Sequence, residues 1–316
     1  MTQTPAHAQS TDSVLMIRPG RFYPNPETAA DNAFQCNADR DSAVLTLMAR
    51  KEFGAAVQAL RAAGVNVHVF EDTVEPEKPD AVFPNNWIST HDDGRVVLFP
   101  MYSKLRRRER RQDIVEELCK HYRVTAVVDY SAFEDEGCYL EGTGSLVFDH
   151  LNKFAYVSLS NRSNPKAIQR FADDYSYEPV MFTSIGSTGQ SIYHTNVMMC
   201  IGTGFAMVGL EMIPDKAERQ QVRAQLERSA KDIVEVSPDQ IANFAGNAIE
   251  LHDRHGEKLL VLSKRAIWAL TGEQRARLTR YVRLVPLELP TIELGGGSAR
   301  CIITTIHLAP RLQHLA

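Results

Sequence analysis

The chain has 316 residues, of which 44% are hydrophobic and 23% are charged, and its formal net charge at pH 7 is −4. This composition is typical of a globular protein whose core needs no disulfides or metals, and it argues against a dedicated nucleic-acid-binding protein, which carries a basic excess. No apolar run approaches the roughly 18 residues that a membrane-spanning helix needs, so no membrane partner is expected.

The chain starts with a segment, residues 1–13, that lacks the basic start and the apolar stretch of a secretory signal. It is predicted to be a disordered tail, followed by a single catalytic domain over residues 14–316. A cytoplasmic location is expected, because the five scattered cysteines form neither a disulfide framework nor a zinc-ligand spacing. The segment LHDRHGEK, residues 251–258, is expected to be a polar turn and not a metal site.

Helix-like and strand-like stretches alternate along the chain. The first helix is predicted over residues 42–63, with a stop at Gly64 and an apolar row formed by Val44, Leu47, Met48, Ala55 and Leu60. Further helices are predicted over residues 104–122, 165–175, 215–231 and 272–282. Strands are predicted over residues 65–70, 124–128 and 259–262.

Polar or glycine-rich turns recur between these elements, and most of them lead into short apolar strands. They span residues 83–87, 141–148, 193–202, 244–251 and 295–305. With Asn86, Glu141, His194, Asn247 and Cys301 as reference positions, the successive spacings are 55, 53, 53 and 54 residues. A repeat of this length indicates radial repetition, because one such unit cannot cover its own apolar face.

The predicted fold is therefore α/β, a five-bladed propeller built from pseudo-fivefold ββαβ repeats. The alternative is that average βα units of another fold produce these spacings by chance. In the propeller the five turns face one central funnel, so Glu141, His194 and Cys301 are expected to be neighbours. A nearby imidazolium lowers the pKa of a thiol, so Cys301 is predicted to be a low-pKa nucleophile that reacts near neutral pH.

Several motifs, in order, resemble those of the pentein superfamily of guanidino-modifying enzymes, which includes arginine deiminases, dimethylarginine hydrolases and amidinotransferases. The motifs are PDAVFPNNWIST at 79–90, EGTG at 141–144, YHTNVMMCIG at 193–202, FAGNAIEL at 244–251 and GGGSARC at 295–301. They are most similar to the citrulline utilization hydrolase group. The resemblance covers nearly the whole chain after Ser13.

The resemblance implies a hydrolase that cleaves linear amidine or ureido C–N bonds through a covalent cysteine intermediate. Cys301 would be the nucleophile, His194 the general acid and then base, and Glu141 the partner of the histidine or of the substrate nitrogens. Arg162 would bind the substrate α-carboxylate, and Asn247 is a further candidate for substrate binding. No cofactor is implied, the expected partner is a small amino acid, and a homo-oligomer stays open.

Two asparagines distinguish this chain from arginine deiminases, which carry aspartates where Asn86 and Asn196 stand here. An amide offers both a donor and an acceptor but no charge, which suits a neutral ureido group better than a cationic guanidinium. Citrulline, converted to ornithine, ammonia and carbon dioxide, is therefore the preferred substrate. The open alternatives are an arginine dihydrolase or deiminase, an amidinotransferase and, in another class, a propeller that only binds a partner.

The basic cluster at residues 104–111, KLRRRERR, is interpreted as the solvated start of a helix, because an isolated patch on an acidic chain is weak support for a nucleic-acid site. Trp87, next to Asn86, is equally compatible with a wall of the site and with the core. Cys200 lies within an apolar run and is expected to be inert.

Overall fold

Five three-stranded sheets follow one another along the part of the chain that the computed structural model describes, residues 8–36, 40–186 and 189–311. In each sheet a short inner strand pairs antiparallel with the middle strand, and the middle strand pairs parallel with the outer strand. A parallel pair requires a crossover connection, and here helices supply it. The predicted five-bladed α/β propeller is confirmed.

The first sheet is closed by both ends of the chain. β1 (Ser13–Arg18) lies between β2 (Asn66–Glu71) and the last strand, β15 (Thr304–Thr305). Val14 of β1 faces Thr305 on one side and Val67 on the other. β15 begins shortly after Cys301, so this pairing places the cysteine at the inner end of the first blade.

The other four sheets are continuous in sequence. Their strands are β3 (Ile88–Thr90), β4 (Arg95–Leu98) and β5 (Ala126–Asp129); β6 (Val147–Asp149), β7 (Phe154–Ser158) and β8 (Glu178–Phe182); β9 (Met199–Ile201), β10 (Phe205–Val208) and β11 (Asp232–Glu235); and β12 (Ile249–His252), β13 (Lys258–Ser263) and β14 (Arg283–Leu287). The inner strands β3, β6, β9 and β12 have three consecutive buried residues each, because neighbouring blades cover them on both faces.

The helices are α1 (Ser42–Ala62), α2 (Lys104–Arg107), α3 (Gln112–His121), α4 (Gly142–Ser145), α5 (Pro165–Tyr175), α6 (Lys216–Arg228), α7 (Pro238–Ala242), α8 (Lys264–Ala269) and α9 (Gly272–Leu278). The helices other than α4 connect the strands of the blades, whereas α4 lies in one of the turns near the propeller axis. The start of α5 agrees with its prediction, because the Asn164 side chain accepts from the Lys166 amide and Pro165 occupies the first turn. The Asp215 side chain caps α6 in the same way.

Of the predicted apolar row of α1, only Leu60 is fully buried. Leu47 and Val44 are exposed, at 71% and 48%, whereas the face formed by Leu45, Ala49 and Phe53 packs into the core. Two apolar rows run along this helix, and helical spacing alone does not choose between them. The neighbouring strands decide which row is buried.

The single helix predicted over residues 104–122 is interrupted. α2 ends at Arg107, and α3 begins at Gln112 after Arg111, whose backbone is extended. The Ser103 side chain caps α2 by accepting from the Arg106 amide. The break turns the Arg106 side chain into the interior, with consequences for the site described below.

The prediction of a disordered tail over residues 1–13 is wrong for residues 8–13. Residues 1–7 lie outside the described residues. The Gln9 amide donates to the carbonyls of Phe148 and Ile201, and the Thr11 hydroxyl donates to the Ile306 carbonyl. These bonds pair the segment with backbone groups at the inner ends of three blades. Within the described residues, no helix combines the length and apolar character required to cross a bilayer.

Candidate active site

Each of the five predicted turns lies immediately before an inner strand, so all five open onto the same end of the propeller axis. The turns before β3, β6 and β9 form short helical segments: a 3-10 helix over Pro84–Asn86, α4, and a 3-10 helix over Thr195–Val197. Asn247 precedes β12, and Cys301 precedes β15. The predicted convergence of these sequence-distant residues is present in the structure.

His194 and Glu141 form a buried hydrogen-bonded pair. His194 Nε2 lies 2.8 Å from Glu141 Oε2, and both side chains are fully enclosed. Burial lowers the pKa of His194 to about 4, although Glu141 opposes the shift. Burial also raises the pKa of Glu141, but Arg162, the hydrogen bond from His194 and Arg106 outweigh it, and the pKa falls to about 2.

These shifts determine which nitrogen of the imidazole can react. At neutral pH Glu141 is ionised and can only accept, so the neutral His194 must carry its proton on Nε2 and donate it to the carboxylate. The Nδ1 lone pair is then free to take up a proton. A neutral histidine held in one tautomer by a carboxylate is a suitable general base.

Cys301 is buried beneath the glycine turn that precedes it. Gly296 adopts a left-handed conformation, with φ of +85°, and its carbonyl accepts a hydrogen bond from the Tyr193 hydroxyl. A side chain at Gly297 would collide with Phe83 and with the Cys301 Cβ atom, 3.0 Å away. The glycines therefore allow the turn to pack closely against the wall of the pocket.

The prediction of a low-pKa Cys301 is wrong for this conformation. Burial raises the pKa of the thiol, and hydrogen bonds from Asn247 and the Ser298 backbone only partly offset the effect. The neutral His194 supplies no imidazolium to stabilise a thiolate. Cys301 and His194 are therefore a neutral thiol and a neutral imidazole in this structure.

Asn196 and Asn247 lie beneath the sulfur and hold it in position. Asn247 Nδ2 is 3.3 Å from Cys301 Sγ, and Asn196 Nδ2 is 3.6 Å from it. The Asn247 Oδ1 atom accepts from the backbone amides of Ser298 and Arg300. Their hydrogen bonds fix the cysteine turn, and the assignment of both asparagines to substrate binding stays a prediction.

A small pocket lies between the cysteine and the His194–Glu141 pair. Asn86, Arg106, Arg162, His194 and Cys301 contribute to its wall. Thr28 and Asn32, from the loop that follows β1, cover the pocket, which encloses about 10 Å³. This is the space of about one water molecule, so a ligand of amino-acid size must displace the covering loop.

Arg162 is buried, and its planar guanidinium already binds a carboxylate. The Nη2 and Nε atoms donate to the two oxygens of Asp31, at 2.6 and 3.2 Å, and Nη1 is 3.6 Å from Glu141 Oε2. The guanidinium also stacks over the Tyr193 ring. Asp31 belongs to the covering loop, so this ion pair holds the loop over the pocket. The assignment of Arg162 to the substrate α-carboxylate stays a prediction.

Arg106 is the residue of this site that the sequence analysis missed. It lies in the basic cluster interpreted as solvated, yet its side chain is buried between Glu109 and Asn86. Its guanidinium donates to both Glu109 oxygens at 3.0 Å, to Asn86 Oδ1 at 2.7 Å and to the Phe83 carbonyl. In the sequence, the only sign of this buried pair was the three-residue spacing between Arg106 and Glu109, and the same spacing occurs on exposed helices.

Arg106 determines the orientation of the Asn86 amide. A guanidinium has only donors, so the oxygen of Asn86 must face it and the NH2 group must point the other way. Asn86 Nδ2 is buried and has no hydrogen-bond partner among the described residues. A buried donor without a partner in the wall of a pocket indicates a ligand acceptor, because such a group is costly when left unpaired.

Gly144, in α4, keeps the space between Asn86 and His194 open. A Cβ atom here would lie 2.8 Å from Nδ1 and Cε1 of His194 and closer still to Asn86 Nδ2. We expect Gly144→Ala to lower kcat at least about tenfold and to destabilise the fold by about 1–3 kcal/mol, since hydrogen bonds hold both side chains. Gly272→Ala is the control, because nothing lies within 4 Å of its new methyl group. Equal kcat values for the two variants, with thermal unfolding as a check, would contradict this account.

The remaining candidates lie outside the pocket. Trp87 is a core residue with no exposed surface, so it forms no wall of the site. Cys200 is buried, and burial raises the pKa of its thiol to about 12, as expected for an inert cysteine. All five cysteines are free. In the described part of the chain no cluster of three or more His, Cys, Asp or Glu side chains is placed to hold a metal ion.

Solved structures with this fold include several proteins of the pentein superfamily. The N-terminal domain of a variant of ArgZ, a cyanobacterial arginine dihydrolase, bound to substrate, has a TM-score of 0.72 at 18% identity, over 93% of this chain and 97% of that one. A variant of AgrE in complex with L-arginine has a TM-score of 0.72 at 16% identity, over 95% of this chain and 41% of that one.

A variant of DDAH from Pseudomonas aeruginosa complexed with citrulline has a TM-score of 0.64 at 12% identity, over 94% of this chain and 100% of that one. No curated protein is significantly similar to the chain in sequence. One family model matches nearly the whole chain, over residues 18–308. The chain belongs to the pentein superfamily and, within it, to the family described as eukaryotic N,N dimethylarginine dimethylhydrolase.

Proposed function

We propose that this protein hydrolyses a ureido amino acid, with citrulline as substrate and ornithine, ammonia and carbon dioxide as products. The observation that carries the proposal is the Asn86 amide, which lines the pocket and whose buried NH2 group has no hydrogen-bond partner among the described residues. A ureido group offers a carbonyl oxygen that can accept from this donor. A guanidinium offers only donors and would leave Asn86 unpaired.

The chemistry follows from the neutral state of the two reacting groups. The Cys301 thiol passes its proton to Nδ1 of His194 as the sulfur attacks the planar ureido carbon. His194 then gives this proton to the departing nitrogen, the C–N bond breaks, and a thiocarbamate remains on Cys301. Water, deprotonated by His194, attacks the thiocarbamate and restores the thiol, and the released carbamate yields carbon dioxide and the second amine.

Glu141 supports both proton transfers. Its carboxylate accepts from Nε2 of His194, so it stabilises the imidazolium that forms in each step. Its own pKa, lowered to about 2, keeps it ionised throughout. Arg162 and Arg106, which lie 3.6 and 3.7 Å from Glu141 Oε2, compensate for the burial of this charge.

Arg162 in the pocket wall suits the α-carboxylate of an amino-acid substrate. Arg162 binds Asp31 through two parallel donors, which is the arrangement that a substrate α-carboxylate would adopt. Substrate binding would therefore replace the Asp31 carboxylate and release the covering loop. Asp80, a buried carboxylate in the pocket wall, accepts from Asn25 and lies 3.6 Å from Arg106 Nε, and it is a candidate partner for the α-ammonium group.

A second candidate is hydrolysis of arginine or a methylated arginine. The family match over residues 18–308 favours it, as does the buried Asp80 carboxylate, which can pair with a cationic guanidinium as well as with an ammonium. The two candidates share the cysteine step. They differ in whether the group at Asn86 is an acceptor or a cation.

Steady-state assays with citrulline, arginine and N,N-dimethylarginine, with ornithine, citrulline and ammonia measured separately, test the proposal. We expect ornithine from citrulline. In Asn86→Asp the donor is lost, so kcat/KM for citrulline should fall about 10–100-fold while the ratio of arginine to citrulline turnover rises. Asn243→Asp, outside the pocket, is the matched control.

The outcomes separate the candidates. Turnover of arginine or dimethylarginine with inert citrulline would reject the first candidate and support the second. No product from any of the three substrates would reject both. An Asn86→Asp variant as active on citrulline as the control would show that the amide does not contact the ureido oxygen.

A further inference from the structure

A second cavity lies on the propeller axis, on the far side of Cys301 from the substrate pocket. It encloses about 50 Å³, several times the roughly 10–15 Å³ that one ordered water needs. Arg300, His150 and His307 line it together with apolar residues of the inner strands β6 and β9. The Gln9 side chain bridges these two strands through the carbonyls of Phe148 and Ile201.

Arg300 brings a positive charge to this cavity without a carboxylate to balance it. Among the described residues its side chain makes one hydrogen bond, from Nη1 to the Ile303 carbonyl at 2.8 Å, and no ion pair. Burial lowers the pKa of Arg300 to about 10, and the only groups that oppose this shift are the thiols of Cys301 and Cys200. Its Nε and Nη2 donors are therefore available to a ligand.

The one carboxylate in the lining, Glu250, forms no ion pair with Arg300. Both oxygens of Glu250 are bound to Thr203, one by the hydroxyl at 2.6 Å and one by the backbone amide at 2.8 Å. The two fully buried arginines of the described residues are each paired with a carboxylate: Arg106 with Glu109, and Arg162 with Asp31. Arg300 is partly buried, and within the described ranges it has no such partner.

Two histidines, His150 and His307, line the same cavity as Arg300. Their rings are tilted by 53° with centroids 4.7 Å apart, and His150 Nδ1 is 2.7 Å from the Tyr177 hydroxyl. Burial lowers the pKa of His307 to about 4 and that of His150 well below its usual value. The Arg300 charge, among those of other neighbours, contributes to both shifts. Both imidazoles are thus neutral and can donate through N–H without adding a second charge.

We propose that this axial cavity binds a compact monovalent anion, of the size of a halide or formate, between the Arg300 guanidinium and the imidazoles of His150 and His307. The guanidinium supplies the charge and two free N–H donors, and the rings supply further donors. The volume admits such an ion with accompanying water. This site is separate from the substrate pocket and does not depend on which substrate the enzyme hydrolyses.

An anion here would act on the nucleophile. Arg300 is the residue next to Cys301, and its charge favours the thiolate. Other groups also affect the pKa of this thiol. Burial raises it, whereas the hydrogen bonds from Asn247, Asn196 and the Ser298 backbone lower it. Tyr193 lies close to the thiol on the pocket side. A bound anion cancels the Arg300 charge, so the fraction of thiolate at neutral pH falls. The expected result is slower alkylation of Cys301.

Crystals soaked in bromide test the site directly, because bromide is located by its anomalous scattering. We expect a bromide peak within hydrogen-bond distance of Arg300 Nε or Nη2, and its loss in Arg300→Gln and in His307→Gln. The exposed Arg254, changed to Gln, is the control and should keep the peak. Ordered water alone at Arg300 in crystals that hold bromide elsewhere would overturn the proposal.

Alkylation by a small haloacetamide, followed at the Cys301 peptide by mass spectrometry, tests the consequence in solution. At constant ionic strength and neutral pH, the Cys301 rate in chloride should be about tenfold lower than in gluconate for the wild type and for Arg254→Gln. In Arg300→Gln the two rates should be equal. Equal wild-type rates in the two salts would overturn the proposal even if the Arg300 variant fails to fold.

Discussion

Replacing Cys301 by alanine is expected to reduce kcat for the physiological substrate by at least about 10⁴-fold while substrate still binds. The reason is that no other described thiol lies in the pocket: Cys36, Cys119 and Cys138 are outside it, and Cys200 lines the axial cavity. Without the sulfur no covalent intermediate forms. The measurement is ornithine release, together with substrate affinity by calorimetry.

The matched control is Cys138→Ala, which removes a partly exposed thiol. It should keep wild-type kcat and lose one reactive cysteine in peptide mapping. Because the Cys301→Ala protein cannot react, its crystal with citrulline or arginine should retain the intact ligand and show which group faces Asn86. More than a tenth of wild-type activity in Cys301→Ala would rule out the cysteine mechanism.

Replacing His194 by asparagine is expected to lower kcat about 10²–10⁴-fold, because both proton transfers lose their base and acid. The wild-type pH profile should show the unusual state of this histidine. Its lowered pKa of about 4 means that Nδ1 is free at every pH above that value and is protonated only below it. Activity should therefore be constant through pH 5–7 and fall near pH 4. A histidine with its ordinary pKa would instead cause the loss near pH 6.5.

Circular dichroism across the same pH range separates titration from unfolding. Glu141 remains ionised at pH 4, because its pKa is lowered to about 2, so the hydrogen bond that orients His194 persists there. His255→Asn, on the exposed turn between β12 and β13, is the control and should leave both kcat and the pH profile unchanged. An acidic limb near pH 6.5 in the wild type would contradict a neutral, buried His194.

The order of the elements was predictable because it depends on local patterns. Hydrophobic periodicity, Pro165 at a helix start, and the spacing near 54 residues placed five helical stretches, three strands and the five turns near their observed positions, although the stretch over residues 104–122 is broken into two helices. The same local information could not choose the buried row of α1, because two apolar rows run along that helix. It also could not show that Gln9 is tied to Phe148 and Ile201, which are distant in sequence.

The convergence of Glu141, His194 and Cys301 was likewise predictable, but their charge states were not. Glu141, His194 and Cys301 occupy equivalent positions of the repeat, so the sequence by itself determined that these groups meet at one end of the axis. Only the tertiary structure decided that Arg106 is buried against Asn86, that Asn196 and Asn247 hold the sulfur, and that His194 and Cys301 are both neutral. The physical reason is that repeat spacing is a local property of the chain, whereas desolvation and the choice of hydrogen-bond partner depend on which distant residues surround a group after folding.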